Sequence, residues 1–270
     1  MIEDFQYSIR SLEPVQSEHR YGANVRILSH PYAFTLLAQL GSATCHQPQV
    51  SQLMRTLYEQ LTISVVNEFF PLKKTMLETR MKSQHSEAEF MANIIDPGSS
   101  VVSVSVARAG TVPSQICFDL MNRILDPNRV RQDFISINRA TDEKGRVIGT
   151  NLSGHKIGGK VDGSLLMIPD PMGASGSTLK SVMELYRSHG KAKDVIAMHL
   201  IVTPEYLRAV QQYCPEVKVI AYRLDRGLSA TKLLETIPGE NWDEEKGLND
   251  KQYIIPGAGG LGEVMNNSYV

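Results

Sequence analysis

One segment constrains the fold of this chain more than any other. Between Leu165 and Leu179 an apolar run ends in a single acid, Asp170, followed by a turn of small residues and the start of a helix. In an open α/β sheet this order puts a carboxylate and a row of backbone N–H groups outside the carboxyl end of a strand. Such N–H groups and the helix dipole favour a phosphate. The turn alone leaves two alternatives open, a phosphate site and an ordinary capped helix, because strand, turn and Ser/Thr cap recur throughout α/β proteins.

Strands and helices alternate on both sides of this segment. Short apolar or β-branched runs predict strands at 101–106, 134–137, 195–202 and 217–222. Residues spaced three and four apart predict helices at 113–125, 179–190 and 204–214. This alternation predicts an α/β fold with a parallel β-sheet flanked by helices. The first hundred residues have helical spacing, and residues 140–163 are interpreted as a polar, glycine-rich arm.

Charged residues follow three of the predicted strands. Arg108 follows the strand at 101–106, Arg139 follows the strand at 134–137, and Asp170 ends the third. Each arginine alone would be read as a solvated loop residue. Together with one acid at the carboxyl edge of a parallel sheet, the two cations favour an anionic sugar ligand.

These residues resemble the uracil phosphoribosyltransferase family, which has the type I phosphoribosyltransferase fold, and the resemblance runs from about residue 27 to residue 267. Asp170-Pro171-Met172 with its small-residue loop is similar to the family's phosphoribosyl pyrophosphate motif, and Arg108-Ala109-Gly110 to its first pyrophosphate loop. Tyr253-Ile254-Ile255-Pro256-Gly257 is the most specific match, to the uracil-recognition segment. The resemblance implies a single domain over 27–270, with N-terminal helices, a base-binding hood at about 225–270, and an N-terminal extension at 1–26.

The resemblance also implies a reaction, in which the phosphoribosyl group of phosphoribosyl pyrophosphate passes to uracil to give UMP and pyrophosphate. Arg108, Arg139 and Asp170 would be the catalytic residues. The donor would contact Arg108, Arg139, Asp170, Pro171, Met172, Gly173, Ala174, Ser175, Gly176, Ser177 and Thr178, and uracil would contact Ile254, Gly259, Gly260 and Leu261. Mg²⁺ would be bound mainly through the substrate pyrophosphate, with no protein metal ligands. The family also implies a homo-oligomer, and GTP regulation in some members; the residues decide neither.

The chain departs from the family pattern at three positions. Gly260 stands where the family has an aspartate used toward the donor, and Leu261 stands where it has an alanine beside the base. In the donor loop Ser177 replaces a glycine. Two readings follow: an active transferase with a reshaped uracil site, or a non-catalytic or altered-base relative that acts as a nucleotide sensor or subunit partner.

Composition excludes several other classes. Lys and Arg number 28 against 29 Asp and Glu, so there is no basic surplus for bulk nucleic-acid binding. No run has membrane-spanning length and the N-terminus is acidic, so we expect a cytoplasmic enzyme with no membrane partner. The three cysteines, Cys45, Cys117 and Cys214, are widely spaced and predict buried thiols. Residues 230–252, which include Trp242, form an insert relative to the family pattern.

Overall fold

The structure of the protein is a computed structural model that describes residue 7, residues 14–141 and residues 147–269, with backbone only for 138–141 and 147–150. Its strands are β1 (Val25–Ile27), β2 (Leu72–Glu78), β3 (Glu89–Ile95), β4 (Val101–Ala107), β5 (Val130–Thr141), β6 (Val147–Lys156), β7 (Leu165–Pro169), β8 (Met172–Gly173), β9 (Asp194–Val202) and β10 (Lys218–Leu224). Its α-helices are α1 (Pro31–Leu40), α2 (Gln49–Phe69), α3 (Thr111–Ile124), α4 (Ser177–Tyr186), α5 (Pro204–Tyr213), α6 (Thr231–Leu234) and α7 (Leu261–Val264).

Eight of these strands form one sheet in the order β1-β10-β9-β7-β4-β5-β6, with β8 paired to β9. All neighbours are parallel except β5 and β6. The predicted α/β fold with a parallel sheet flanked by helices is therefore confirmed. β2 and β3 form a separate two-stranded antiparallel sheet.

The main sheet separates two hydrophobic clusters, because successive side chains of a strand point to opposite faces. In β7, Leu165 and Met167 pack in the cluster that contains residues of α1, α2 and α3. Leu166 and Ile168 pack in the cluster that contains residues of α4 and α5. Burial on both faces explains why β7 reads as a continuous apolar run in the sequence, and why β4 and β9 are apolar apart from Ser103, Ser105, Asp194 and His199.

The helical predictions at 113–125, 179–190 and 204–214 correspond to α3, α4 and α5 and are confirmed. The prediction of helix throughout the first hundred residues is right for α1 and α2 and wrong for β2 and β3, whose residues are mostly half-buried and so show no clear apolar face. Much of the polar, glycine-rich arm at 140–163 is the strand β6, which pairs with β5. Residues 142–146 of that arm lie outside the described residues.

Cys45, Cys117 and Cys214 are buried free thiols, as the sequence predicts. Burial raises the pKa of Cys117 to about 12. Among the described residues, the helices lack the combination of length and apolar character that crossing a membrane requires.

The insert at 230–252 is tied to distant parts of the chain. The indole N–H of Trp242 donates to the carbonyl oxygen of Pro204 at 2.9 Å, and its ring meets the Tyr21 ring edge-on at 5.0 Å. The fully buried carboxylate of Glu245 pairs with Arg226 at 2.8 Å and accepts the Tyr21 hydroxyl. The insert is therefore part of the packed structure and contacts both β1's flank and α5.

Candidate active site

The loops after β4 and β7 meet at the carboxyl edge of the sheet. Arg108 follows β4 and Asp170 follows β7, and these two strands are parallel neighbours. A Cβ on Gly110 would lie 2.8 Å from the carbonyl oxygen of Pro169, so the loop after β4 runs directly against the end of β7. Glycine allows this close approach because it has no side chain. The structure thus brings Arg108 and Asp170 to adjoining positions.

Asp170 is held by its neighbours on β9 and β8. Its N–H donates to the carbonyl oxygen of Met198 at 3.0 Å, and its Oδ1 accepts the N–H of Met172 at 3.1 Å. The second contact closes a tight turn in which an aspartate side chain caps the backbone two residues on. The half-buried carboxylate therefore stands at the start of the small-residue loop.

The small-residue loop, 173–178, packs tightly on α5. A Cβ on Gly173 would lie 2.8 Å from Val202, and one on Gly176, whose φ is +81°, would lie 2.7 Å from the Cβ of Ala209. Thr203 Oγ1 donates to the carbonyl oxygen of Ala174 at 2.6 Å. The loop is thus fixed from below by the N-terminus of α5.

α4 begins with Gly176 as its N-cap, so no side chain at the cap position covers its first N–H groups. The hydroxyls of Ser175 and Ser177 lie 3.0 Å apart. The alternative of an ordinary helix with a Ser/Thr cap is not what the structure shows, because Ser177 and Thr178 are already helical. Uncapped N–H groups beside hydroxyls suit an anion such as a phosphate.

The two predicted arginines have different surroundings. Arg108 is exposed, and its Nη1 donates to the hydroxyl of Ser268 at 2.8 Å and to that residue's carbonyl oxygen at 3.2 Å. Arg139 lies within β5 rather than after it, opposite Thr150 of β6. The last residue of β5 paired with β4 is Ser136, so the backbone of Arg139 extends past the end of β4. Its side chain lies outside the described residues.

The C-terminal hood reaches the same edge. Ile254 and Leu261 are 5% and 2% exposed and pack in the cluster with α1–α3. A Cβ on Gly262 would lie 3.5 Å from Ala109, so α7 packs against the loop after β4. This contact brings residues 259–261 next to the loop that carries Arg108. The Leu261 side chain points into the core, while a Cβ on Gly259 would meet open space.

An ion pair with a buried carboxylate helps to hold the turn at 254–257. Asp225, 2% exposed, accepts from Arg223 at 2.7 and 2.8 Å and from the N–H of Gly257 at 2.7 Å. Arg223 in turn donates to the carbonyl oxygen of Gly257 at 2.8 Å. Both polar groups of Gly257 are therefore satisfied by one Arg–Asp pair, which the sequence does not reveal.

Sequence reasoning also missed a buried polar group beneath Asp170. His199 of β9 lies between the carbonyl oxygen of Asp170 and the hydroxyl of Tyr206, each 2.6 Å from one of its ring nitrogens. Burial lowers its pKa to about 4. The available signal was a lone histidine in the otherwise apolar run 195–202.

The described residues contain no group of three or more His, Cys, Asp or Glu side chains that could hold a metal ion. The carboxylate of Asp170 stands at the start of the loop 173–178, and carboxylate oxygen is a ligand type that Mg²⁺ accepts. The residues present are therefore compatible with a magnesium ion that takes most of its ligands from elsewhere.

A protein-family model described as uracil phosphoribosyltransferase matches residues 27–240 of this chain. The uracil phosphoribosyltransferase of Thermococcus sibiricus is 26% identical over 194 residues, which is 72% of this chain and 71% of that protein. The protein of the same name from Acinetobacter baylyi is 31% identical over 104 residues, 38% of this chain and 39% of that protein. The AQ2163 protein from Aquifex aeolicus has 20% identity and a TM-score of 0.69, with 91% of this chain and 99% of that chain covered. This structural likeness shows the fold.

Proposed function

Because the chain belongs to the uracil phosphoribosyltransferase family, we propose that it transfers the phosphoribosyl group of phosphoribosyl pyrophosphate to uracil. The products are UMP and pyrophosphate. The observation that carries the proposal is the junction of Asp170, the loop 173–178 and the Arg108 loop at one sheet edge. This junction offers an acid, an uncapped helix start and a cation to one phosphorylated sugar.

The donor's 5′-phosphate binds at the start of α4. Backbone N–H groups there and the hydroxyls of Ser175, Ser177 and Thr178 act as donors, and the helix dipole favours the negative charge. Pro171, Met172, Gly173, Ala174 and Gly176 contribute backbone and shape. Asp170 accepts hydrogen bonds from the ribose hydroxyls, which fixes the sugar relative to the phosphate.

Arg108 and Arg139 bind the pyrophosphate. Arg108 is exposed and exchanges its contact with Ser268 for pyrophosphate oxygens. In the reaction the bond from the anomeric carbon to the pyrophosphate oxygen breaks, a bond to a uracil nitrogen forms, and the proton of that nitrogen is released to solvent. Positive charge develops on the sugar as negative charge leaves with pyrophosphate. Fixed cations beside the leaving group and a carboxylate beside the sugar lower this barrier chiefly through orientation and electrostatics.

Uracil binds under the hood at Ile254 and residues 259–261. The side chains of Ile254 and Leu261 are buried in the core, so these residues contact the base through their backbone. Gly259 faces open space and leaves room for a planar ring. Leu261 then fixes the position of α7 and, through it, the width of the base pocket.

Asp170, next to the proposed sugar site, is the protein carboxylate that could approach a Mg²⁺ ion bound with the donor. Such an ion would be held mainly by the donor's own oxygens and would supply positive charge to the pyrophosphate. The domain assignment, a single unit over 27–270 with the hood at about 225–270, and the homo-oligomeric state are part of the same proposal.

The test is turnover of labelled uracil by the purified full chain with phosphoribosyl pyrophosphate and Mg²⁺, followed by competition among uracil, cytosine and purine bases. We expect UMP to form and uracil to compete best. Donor binding without turnover on any base would contradict the proposal and support the non-catalytic alternative.

A further inference from the structure

His199 is a polar residue in the middle of a buried parallel strand. It is 3% exposed, and its neighbours along β9, Met198 and Leu200, have no exposed surface. A polar group costs free energy in such a place unless it is hydrogen-bonded. Both ring nitrogens are bonded: Nδ1 lies 2.6 Å from the carbonyl oxygen of Asp170, and Nε2 lies 2.6 Å from the hydroxyl of Tyr206.

The partners determine the tautomer. A carbonyl oxygen can only accept, so Nδ1 carries the hydrogen and donates it to Asp170. Burial holds the pKa of His199 near 4, so the ring is neutral at pH 7 and Nε2 accepts the hydroxyl hydrogen of Tyr206. The resulting chain runs in one direction, from the Tyr206 hydroxyl through the imidazole to the backbone of Asp170.

A second contact holds the backbone N–H of the same residue, Asp170. The carbonyl oxygen of Met198 accepts the Asp170 N–H at 3.0 Å and the Tyr58 hydroxyl at 3.1 Å. Tyr58 belongs to α2 and Tyr206 to α5, which pack on opposite faces of the sheet. The backbone of Asp170 is thus fixed through β9 from both helical layers.

We propose that His199, oriented by Tyr206, is a positioning residue that sets the backbone of Asp170 and thereby aims its carboxylate at the ribose of the donor. The inference rests on the proposed function, since it assigns a purpose to Asp170's orientation. Neither His199 nor Tyr206 touches the substrate. Their effect is on donor affinity and on the geometry of the sugar, and uracil recognition at the hood does not depend on them.

Tyr206→Phe is the sharpest variant because it removes a single hydroxyl. The ring of Tyr206, which lies 3.1 Å from where a Cβ on Gly173 would be, stays in place beneath the donor loop. Tyr222→Phe is the matched control. Tyr222 is equally buried, and its hydroxyl has no hydrogen-bond partner among the described residues.

For Tyr206→Phe we expect the KM and the dissociation constant for phosphoribosyl pyrophosphate to rise about 3- to 10-fold, which is the usual worth of one buried hydrogen bond. The KM for uracil and the binding of pyrophosphate alone stay unchanged, because Asp170 is not part of either site. Tyr222→Phe changes none of these values by more than about 2-fold.

A second pair of variants tests the histidine itself. The amide nitrogen of an asparagine can take the place of Nδ1, so His199→Asn should keep donor affinity closer to wild type than His199→Leu does. A purely structural role would lower thermal stability in both and leave the KM for the donor unchanged in both.

Calorimetric titration with the donor, alongside the turnover assay, separates the possible failures. Equal donor affinity in Tyr206→Phe and Tyr222→Phe would overturn the positioning role while the transferase assignment stands. Wild-type protein that binds donor without turnover would overturn the transferase assignment, and the affinity comparison would still decide the role of His199. Wild-type protein that does not bind donor would overturn both.

Discussion

The donor edge and the C-terminal hood are built in opposite ways. At the donor edge, Asp170 and the loop 173–178 connect β7 to α4. Their backbone is hydrogen-bonded to β9 and to the N-terminus of α5. In the hood, residues 225–269 contain two helices of four residues each, α6 and α7. The turn at 254–257 is held by the pair Arg223–Asp225 at Gly257 and by backbone hydrogen bonds of Ile255 with Gly247 and Gly227, at 2.8 and 3.0 Å. The donor edge is therefore stabilised by regular strands and helices, and the hood by hydrogen bonds and ion pairs between loops.

This difference has a physical consequence. A loop that continues a buried strand is stabilised by the sheet. Substitutions in such a loop should therefore change activity more than they change the stability of the fold. A turn that an ion pair helps to hold is weakened when that pair is broken, because the remaining charge loses its partner. Substitutions at the two sites should therefore separate activity from stability.

The largest expected effect is in the hood. Asp225→Ala leaves Arg223 and the N–H of Gly257 without their acceptor, and we expect the free energy of unfolding to fall by about 3 kcal/mol. Urea denaturation measures it. Asp194→Ala is the control, since the pair of Asp194 with Lys218 is partly exposed and its loss should cost less than about 1 kcal/mol. Equal losses of unfolding free energy in the two variants would show that the Arg223–Asp225 pair stabilises the protein no more than a partly exposed pair does.

At the donor edge we expect a large effect on activity and a small effect on stability. Asp170→Asn keeps the size of the half-buried side chain and removes its charge. We expect kcat/KM for the donor to fall about 100-fold, in line with the loss of one preorganised electrostatic contact. The midpoint of urea unfolding should change little. An unfolding midpoint lowered as far as in Asp225→Ala would show that the donor edge is no more robust than the hood.

The stability of the fold around His199, which lies beneath Asp170, should depend on pH. The pKa of His199 is lowered from 6.5 to about 4 by burial, so between these values the unfolded chain binds a proton that the folded chain does not. Stability from this group is complete above pH 6.5 and is lost as the pH falls toward 4. From pH 7 to pH 5 the free energy of unfolding should drop about 2 kcal/mol more in wild type than in His199→Asn. Parallel pH profiles would contradict the buried neutral histidine.

A smaller effect is expected from glycines in the hood. Gly257 and Gly259 both have positive φ, at +63° and +71°, but a Cβ on Gly257 would lie 2.2 Å from the carbonyl oxygen of Ile254, whereas one on Gly259 would meet open space. Gly257→Ala should raise the KM for uracil about 10-fold, and Gly259→Ala should cost only the strain of about 1 kcal/mol. Similar uracil KM values in both variants would show that the turn does not shape the base site.

The smallest effect concerns the position where the family has an aspartate. A Cβ on Gly260 would lie 2.6 Å from Oε2 of Glu263, the mobile end of a side chain that can turn aside. Gly260→Asp should leave activity unchanged or raise it, with the donor KM shifted less than about 3-fold, and Gly260→Asn controls for shape without charge. A marked loss in the aspartate variant alone would show that Glu263 already supplies the carboxylate needed there.

The comparison of the donor edge with the hood also explains which features could be predicted from the sequence. The adjoining positions of Asp170 and Arg108 could be predicted because strand ends can be read from runs such as 101–106 and 165–168, and parallel strands end at a common edge. β2 and β3 were missed because half-buried strands show no decisive periodicity. The extent of β5 was underestimated because its last residues pair only with β6.

Contacts between residues far apart in the chain could not be predicted from the sequence, for a different reason. Arg223, Asp225 and Gly257 lie close only once the hood has folded back onto β10, and no local pattern encodes that pairing. The role of His199 depends on which atoms of Asp170 and Tyr206 face it, which spacing along one strand does not reveal. Residue types indicated the chemistry, and tertiary geometry determined how each group is held.

The anchoring of the insert has a practical consequence for limited proteolysis. A protease that cuts the backbone within 230–252 still leaves Glu245 paired with Arg226 and Tyr21, and Trp242 bonded to Pro204. The two fragments should remain associated and elute together in gel filtration, and they should separate only under denaturing electrophoresis.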